Sequence, residues 1–369
     1  MLDMTDDHRT RRYHRRRLLL GGARFALGVA FLLALLLTGA AHALAHAAAR
    51  ASTVAAVQVA IVAICLGAAR GVLDFPLAYV AGFALPRRHG LLHQPLGAWL
   101  GDRAKASALG GVLALAGVEI VYALMRVTEW WWLAASAIAF ALSVVGATVL
   151  PVWVAPIFYR LTPLTDEDLR ARLVALAERA GIRALGVWVA DQSRKSRTAN
   201  AALVGLGRTR RIILFDTLLA AFTPREIEAV LAHELGHHVH GDLRRGLLVQ
   251  AALTGLTLWI AAHAMAAGVR RWGLLEVADP AGLPWLALVT LAAGAVTLPL
   301  GNTFSRFIER QADTWALATT RDPDAFVSAM ERLATLNLAE RRPSRFKEIV
   351  LYSHPALDRR IARARGEIA

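Results

Sequence analysis

Residues 223–242, TPREIEAVLAHELGHHVHGD, carry the pattern His233-Glu234-x-x-His237 and decide how the rest of the chain is read. On an α-helix His233 and His237 project from one face about 6 Å apart, so both imidazoles can reach a single Zn²⁺. Glu234, beside the first histidine, is positioned to take a proton from water at that metal. The helix has its own start signals. Thr223 is a good N-cap, Pro224 suits the first helical position and Glu226 completes a Thr-x-x-Glu capping box. Ile227, Val230 and Leu231 then carry the helix toward a core.

The chain has 369 residues, 56% of them hydrophobic, an excess that lipid accommodates more readily than the interior of a soluble enzyme. The net charge of +14 resides almost wholly in arginine, the lysines being Lys105, Lys195 and Lys347 alone. These arginines cluster beside apolar runs, without an aromatic-interleaved basic platform or a nucleic-acid motif. The charge therefore reads as topological, and nucleic acid is not an expected partner. Abundant Ala and Arg suggest a GC-rich bacterial genome. Cys65, the single cysteine, excludes an intramolecular disulfide and reads as a buried free thiol within an apolar run.

Arg11, Arg12, Arg15, Arg16 and Arg17 precede the apolar run 18–37, which reads either as an export signal cleaved near Ala41–Ala47 or, more simply given the spans that follow, as an uncleaved anchor with its basic end in the cytoplasm. Further apolar stretches at 53–83, 106–125, 130–156, 245–268 and 284–304 bring the expected spans to six. Pro76 is expected to bend or end the second. Asp74 beside it is an ionisable group near membrane depth, either interior and functional or interfacial. Trp130, Trp131 and Trp132 read as an interfacial aromatic belt. Counting from the N-terminus puts 84–105, 157–244 and 305–369 on the cytoplasmic side, where most remaining arginine lies, and leaves outer loops near 38–52, 126–129 and 269–283.

The expected fold is mainly α: a polytopic α-helical membrane protein with a small α+β zinc-metalloprotease domain on the cytoplasmic side. Its parts are a basic N-terminus 1–17, a four-span region 18–156, an α+β insert 157–244, a span pair 245–304 and a C-terminal part 305–369. Within the insert the pattern predicts a helix at 166–180 ended by Gly181 and strands at 187–190, 199–206 and 211–216. Further on it predicts a helix opened by Asp322-Pro323, a basic loop at 341–347 and a last helix after Pro355.

Two histidines do not complete a catalytic zinc site, which takes a third protein ligand. Glu309, in SRFIERQADTWAL (305–317), follows directly on the last span, and Asp313 lies one turn later on the same helix face. A ligand carboxylate, with a second carboxylate holding a ligand histidine's other ring nitrogen, is an arrangement zinc chemistry favours. His240, three residues after His237, is the competing ligand. His238 points about 100° away and reads as structural.

At this point the chain resembles the type I CAAX prenyl endopeptidases, integral-membrane zinc proteases of the gluzincin group. The resemblance rests on HGLLHQPLGAWLGDRAK (89–105), SRTANAALVGLGRTRRIILFDTLL (196–219), HELGH (233–237), ERQAD (309–313) and SHPALDRRI (353–361). It implies His233, His237 and Glu309 as ligands of one Zn²⁺, Glu234 as general base and Asp313 as a group behind the ligands. It further implies that Asn200 and Ala201 bind an extended substrate backbone, and that His354 and Arg360 steady the oxyanion and the peptide. Departures are a shorter N-terminal membrane region than in the eukaryotic members and a metal helix continuing as His-Gly-Asp. Asp242 in that extension is similar to the related heat-shock membrane metalloproteases.

The expected function is thus a membrane-embedded zinc endopeptidase, multi-pass in a bacterial inner membrane with its site facing the cytoplasm. Its partners would be the bilayer and a peptide or membrane-protein substrate, possibly C-terminally prenylated. The competing readings are a quality-control protease of the heat-shock type and a catalytically silent membrane scaffold.

Overall fold

The computed structural model describes residues 4–149, 153–205 and 210–367. It is mainly helical, and long apolar helices form its frame. They begin with α1 (Met4–Leu37), followed by α2 (Ala40–Ala51), which occupies a stretch expected to be a loop, and α3 (Ala55–Tyr79). Pro76 does not end α3. The chain runs on through a π turn at Val80–Ala84 into α4 (Leu85–Arg88). Next come α5 (Leu96–Val127) and α6 (Trp131–Val149).

Among the described residues five helical segments are long and apolar enough to cross a membrane: His8–Leu37, Ala55–Arg88, Leu96–Val127, Asp242–Trp272 and Pro280–Thr320. The sixth expected span is the short one. The apolar part of α6, Trp131–Ala147, lies at the short end of the roughly 17–25 residues of a spanning helix, and α6 reaches Val149, where the described residues break off. Residues 150–152 of that expected span lie outside the described residues. Two other expectations change. Cys65 is exposed, because its face of α3 does not turn toward the helix bundle. Trp131 is buried in the bundle core with Tyr122 and Met265, so the tryptophan run is only partly a surface belt.

After the short α7 (Ala155–Phe158) the chain forms a compact α+β unit. It comprises β1 (Leu161–Pro163), α8 (Glu167–Arg179), β2 (Val187–Ala190), β3 (Ala201–Val204), β4 (Arg211–Phe215) and α9 (Asp216–Ala221). The sheet order is β1-β2-β4-β3, with β2 and β4 parallel and the outer pairs antiparallel. This leaves β3 as an edge strand. Leu206, the end of its expected extent, lies outside the described residues. Strand β1 was not foreseen, since three residues are too few to display a period.

The metal helix α10 (Pro224–Val239) packs its apolar face, including Ile227, Leu231 and Leu235, into one core with Leu173 and Leu176 of α8 and Ile212 and Leu214 of β4. The capping box at its start is formed in both directions. Beyond Gly241, whose φ of 67° suits glycine, α11 (Asp242–Trp272) leaves toward the bundle and α12 (Leu283–Thr320) returns. Because α12 runs unbroken past the apolar segment, it delivers residues 309–313 to α10. The chain closes with α13 (Pro323–Asn337), α14 (Arg345–Leu351) in the expected basic loop, and α15 (Leu357–Ala364). Near the start of α1, Tyr13 buries against Leu85, Leu91 and Leu338, and His14 Nε2 lies 2.6 Å from the Leu338 carbonyl oxygen, tying the first helix to this unit.

Candidate metal centre

The ligating atoms of His233, His237 and Glu309 all lie within 4.8 Å of one another. His233 Nε2 is 3.2 Å from His237 Nε2 and 3.3 Å from Glu309 Oε2, and His237 Nε2 is 3.6 Å from Glu309 Oε1. Ligands about 2.0–2.1 Å from a tetrahedral Zn²⁺ stand about 3.3 Å apart, so the three groups fit that ion. A second observation agrees. Glu309 is buried, and its Oε2 has no hydrogen-bond partner although it faces His233, an arrangement a cation relieves. His240, the competing ligand, turns back on its own helix, with Nδ1 2.8 Å from the Gly236 carbonyl oxygen.

Each histidine presents Nε2 because a carboxylate holds its other nitrogen. His233 Nδ1 lies 2.9 Å from Asp313 Oδ1, and His237 Nδ1 lies 2.9 Å from Asp242 Oδ2. Such partners fix the tautomer and raise the basicity of the free nitrogen. Both carboxylates are anchored in turn. Arg360 donates from Nε and Nη2 to Asp313 at 2.8 and 2.6 Å, and Arg245 Nη1 donates to Asp242 Oδ1 and to Gln311 Oε1 at 2.9 and 2.8 Å.

The field of the cluster favours a cation. Burial works against charge on His233, but the carboxylates of Asp313 and Glu309 beside it outweigh that cost and lift it to about 9. Burial also raises the Glu234 carboxyl above its usual range, partly offset by the neighbouring His233 and His237. A half-buried carboxyl on the helix that carries both histidines, with a raised proton affinity, has the properties of a group that takes and returns a proton.

His354 reaches the cluster from the loop between α14 and α15. Its Nε2 is 3.1 Å from Glu309 Oε1, its Nδ1 is 2.9 Å from Ser353 Oγ, and 59% of its side chain is exposed. That loop is held from α12. Arg306 Nη1 donates to the carbonyl oxygens of Glu348, Ile349 and Tyr352, and Asn302 Nδ2 donates to that of Val350. Arg360 lies against Asp313 with Nη2 3.5 Å from His233 Nδ1, so its direct contacts are with the ligand shell.

Asn200 and Ala201 stand at the head of edge strand β3. The Asn200 carbonyl oxygen accepts from Phe215 N, while its side chain accepts from Ala201 N at 3.0 Å. Alternation along the strand turns the Ala201 amide and the Leu203 carbonyl to the free edge. There the Leu203 oxygen meets His238 Nε2 at 3.2 Å, which joins β3 to the metal helix.

The structure thus brings His233, Glu234, His237, Glu309, Asp313, His354 and Arg360 together, with Asn200 and Ala201 on the adjoining edge. Sequence reasoning missed Arg306 and Arg245. It noted Asp242 without linking it to His237, although its place five residues on, past a glycine turn, was a usable signal.

Residues 2–160 match the family described as CAAX prenyl protease N-terminal, five membrane helices, and residues 163–368 match Peptidase family M48. The uncharacterized metalloprotease YhfN of Bacillus subtilis (strain 168) is 27% identical over 300 residues, 80% of this chain and 70% of that protein. CAAX prenyl protease 1 of Saccharomyces cerevisiae is 33% identical over 171 residues, 45% of this chain and 37% of the yeast protein. The crystal structure of S. mikatae Ste24p shares the fold, with a TM-score of 0.86 over 98% of this chain and 90% of that one at 22% identity. The M48 match alone spans more than half of the chain, which therefore belongs to Peptidase family M48 and is a multi-pass membrane zinc metalloendopeptidase.

Proposed function

We propose that the chain hydrolyses peptide bonds of membrane-associated proteins or peptides at a single Zn²⁺ held by His233, His237 and Glu309. The observation that carries this reading is the convergence of two Nε2 atoms and one carboxylate at tetrahedral spacing, with Asp313 and Asp242 behind the two histidines. When bound, the ion supplies Lewis acidity that makes water nucleophilic near neutral pH and polarises the scissile carbonyl. Glu234 takes the proton of the attacking water and returns it to the leaving amine. His354, partly exposed at the rim, donates to the oxygen on which negative charge develops. Arg360 positions Asp313, and through it His233.

The substrate enters as an extended chain along β3, its backbone paired to the Ala201 edge and its register fixed by Asn200. In this reading 157–244 and 305–369 form one catalytic unit on the cytoplasmic side of a bacterial inner membrane, joined through the span pair 245–304. The basic residues ahead of the first apolar run support that orientation.

For the substrate class we favour a C-terminally lipid-modified peptide, supported by the N-terminal family match and by the named function of the yeast relative. The test compares cleavage of a farnesylated peptide, its unmodified twin and a denatured membrane protein by the purified full chain. Faster cleavage of the farnesylated form supports the reading. Equal rates on the two peptides exclude a prenyl requirement, and preference for the denatured protein makes the enzyme a quality-control protease.

A further inference from the structure

Helices α1, α3, α5 and α12 surround a cavity of about 1030 Å³, none of whose lining residues belongs to the metal cluster. That is at the upper end of the roughly 300–1,000 Å³ typical of ligand sites. Among the described residues its polar lining is confined to Arg24, Arg70 and Ser107; the other lining residues are apolar. Arg24 donates from Nε and Nη2 to Asp74 at 2.8 and 2.6 Å. Arg70 Nη1 stands 3.3 Å from Asp74 Oδ1, while its Nη2 donates to the Arg24 carbonyl oxygen at 3.0 Å.

Two guanidiniums therefore share one carboxylate, which leaves the cluster one positive charge in excess. The carboxylate lies behind, with 10% of its side chain accessible, whereas Arg24 and Arg70 keep 39% and 30%. An uncompensated charge at membrane depth is costly unless an opposite charge meets it. The cavity is the direction from which one can arrive. Lining stretches of α1 and α3 run in opposite directions with Arg24 beside Arg70, so the charged groups share one end and Leu32 and Ala63 the other. Eight residues of helix separate those ends on α1, about 12 Å. A small hydrophilic anion gains nothing from such walls, and a neutral chain gains nothing from the arginines. The occupant that satisfies both is an amphiphile with an anionic head.

We propose that this cavity binds one anionic membrane phospholipid, its phosphate on Arg24 and Arg70 and an acyl chain along Phe31, Leu66 and Leu115. The test uses the full chain purified with equal amounts of phosphatidylglycerol and phosphatidylcholine of identical acyl chains, with retained lipid counted by native mass spectrometry. The expected result is one phosphatidylglycerol per chain, favoured at least tenfold over phosphatidylcholine, with the preference lost in Arg24→Gln/Arg70→Gln. Because that double variant leaves Asp74 without a partner, Gly111→Phe provides a second test. Gly111 lines the cavity from α5, a β-carbon there meets nothing within 4 Å, and the ion pair is carried by α1 and α3, so this variant narrows the cavity while leaving Arg24, Arg70 and Asp74 in the sequence. Gly111→Phe should lose bound phosphatidylglycerol at least tenfold while keeping its helical content and zinc. Equal retention of the two lipids, undiminished lipid in Gly111→Phe, or one-for-one displacement by a farnesylated peptide would each overturn the assignment, the last by making the cavity a substrate-chain pocket.

Discussion

Gly236 lies directly against Ala312: a β-carbon built on Gly236 would stand 3.0 Å from Ala312 Cα and 3.1 Å from its carbonyl oxygen. This close approach of α10 to α12 brings a carboxylate from beyond two long membrane helices within reach of His233 and His237. Glycine within His-Glu-Leu-Gly-His is thus a packing requirement of the metal site.

Gly236→Ala should push the two helices apart. Backbone atoms are the obstacle, so no side chain can turn away, and the cost should be about 1–3 kcal/mol. Thermal unfolding in detergent should show a lower midpoint, accompanied by weaker zinc retention against a chelator.

Asp242→Ala should weaken metal binding without removing a ligand. His237 would lose the group that holds Nδ1, and loss of such a partner typically costs about 10–100-fold in metal affinity. Zinc affinity measured by competition should fall by that amount, whereas Glu309→Ala should abolish stoichiometric zinc. Unchanged affinity in Asp242→Ala would mean that packing alone orients His237.

His354→Ala should keep its zinc and lower kcat by about 10²–10³, the range seen when one donor to a developing oxyanion is removed. Arg306→Ala should move in the same direction more mildly. It frees the end of α14 and the following loop while leaving His354 itself in place. Added imidazole that partly restores His354→Ala but not Arg306→Ala would separate the chemical role from the positioning one.

Residues 223–242 made the metal helix legible because a capping box, an apolar face and two histidines at helical spacing all describe the same local structure, and none depends on the rest of the fold. Glu309 and Asp313 were also readable, since i,i+4 carboxylates just past an apolar span are a local pattern. What the sequence could not display was long-range. Arg306 resembles any basic residue at a helix end until the fold carries α14 over it. The arginines facing Asp74 lie 50 and 4 residues away, so the triad exists only after α1 and α3 pair. Helix α2 was read as a loop because its twelve residues are too few to span a membrane, although Leu44, Ala45 and Ala48 form a face packed on the bundle core. Strand β1 is fixed by pairing to β2 and not by its own three residues.

The central claim is tested most directly by Glu234→Gln, measured in purified full-length protein for both zinc content and peptide hydrolysis. The amide preserves shape but cannot take the water's proton. The expected result is one zinc per chain in both forms, with turnover in the unsubstituted protein alone. Undiminished hydrolysis by the zinc-loaded variant would contradict the assignment of Glu234 as the base.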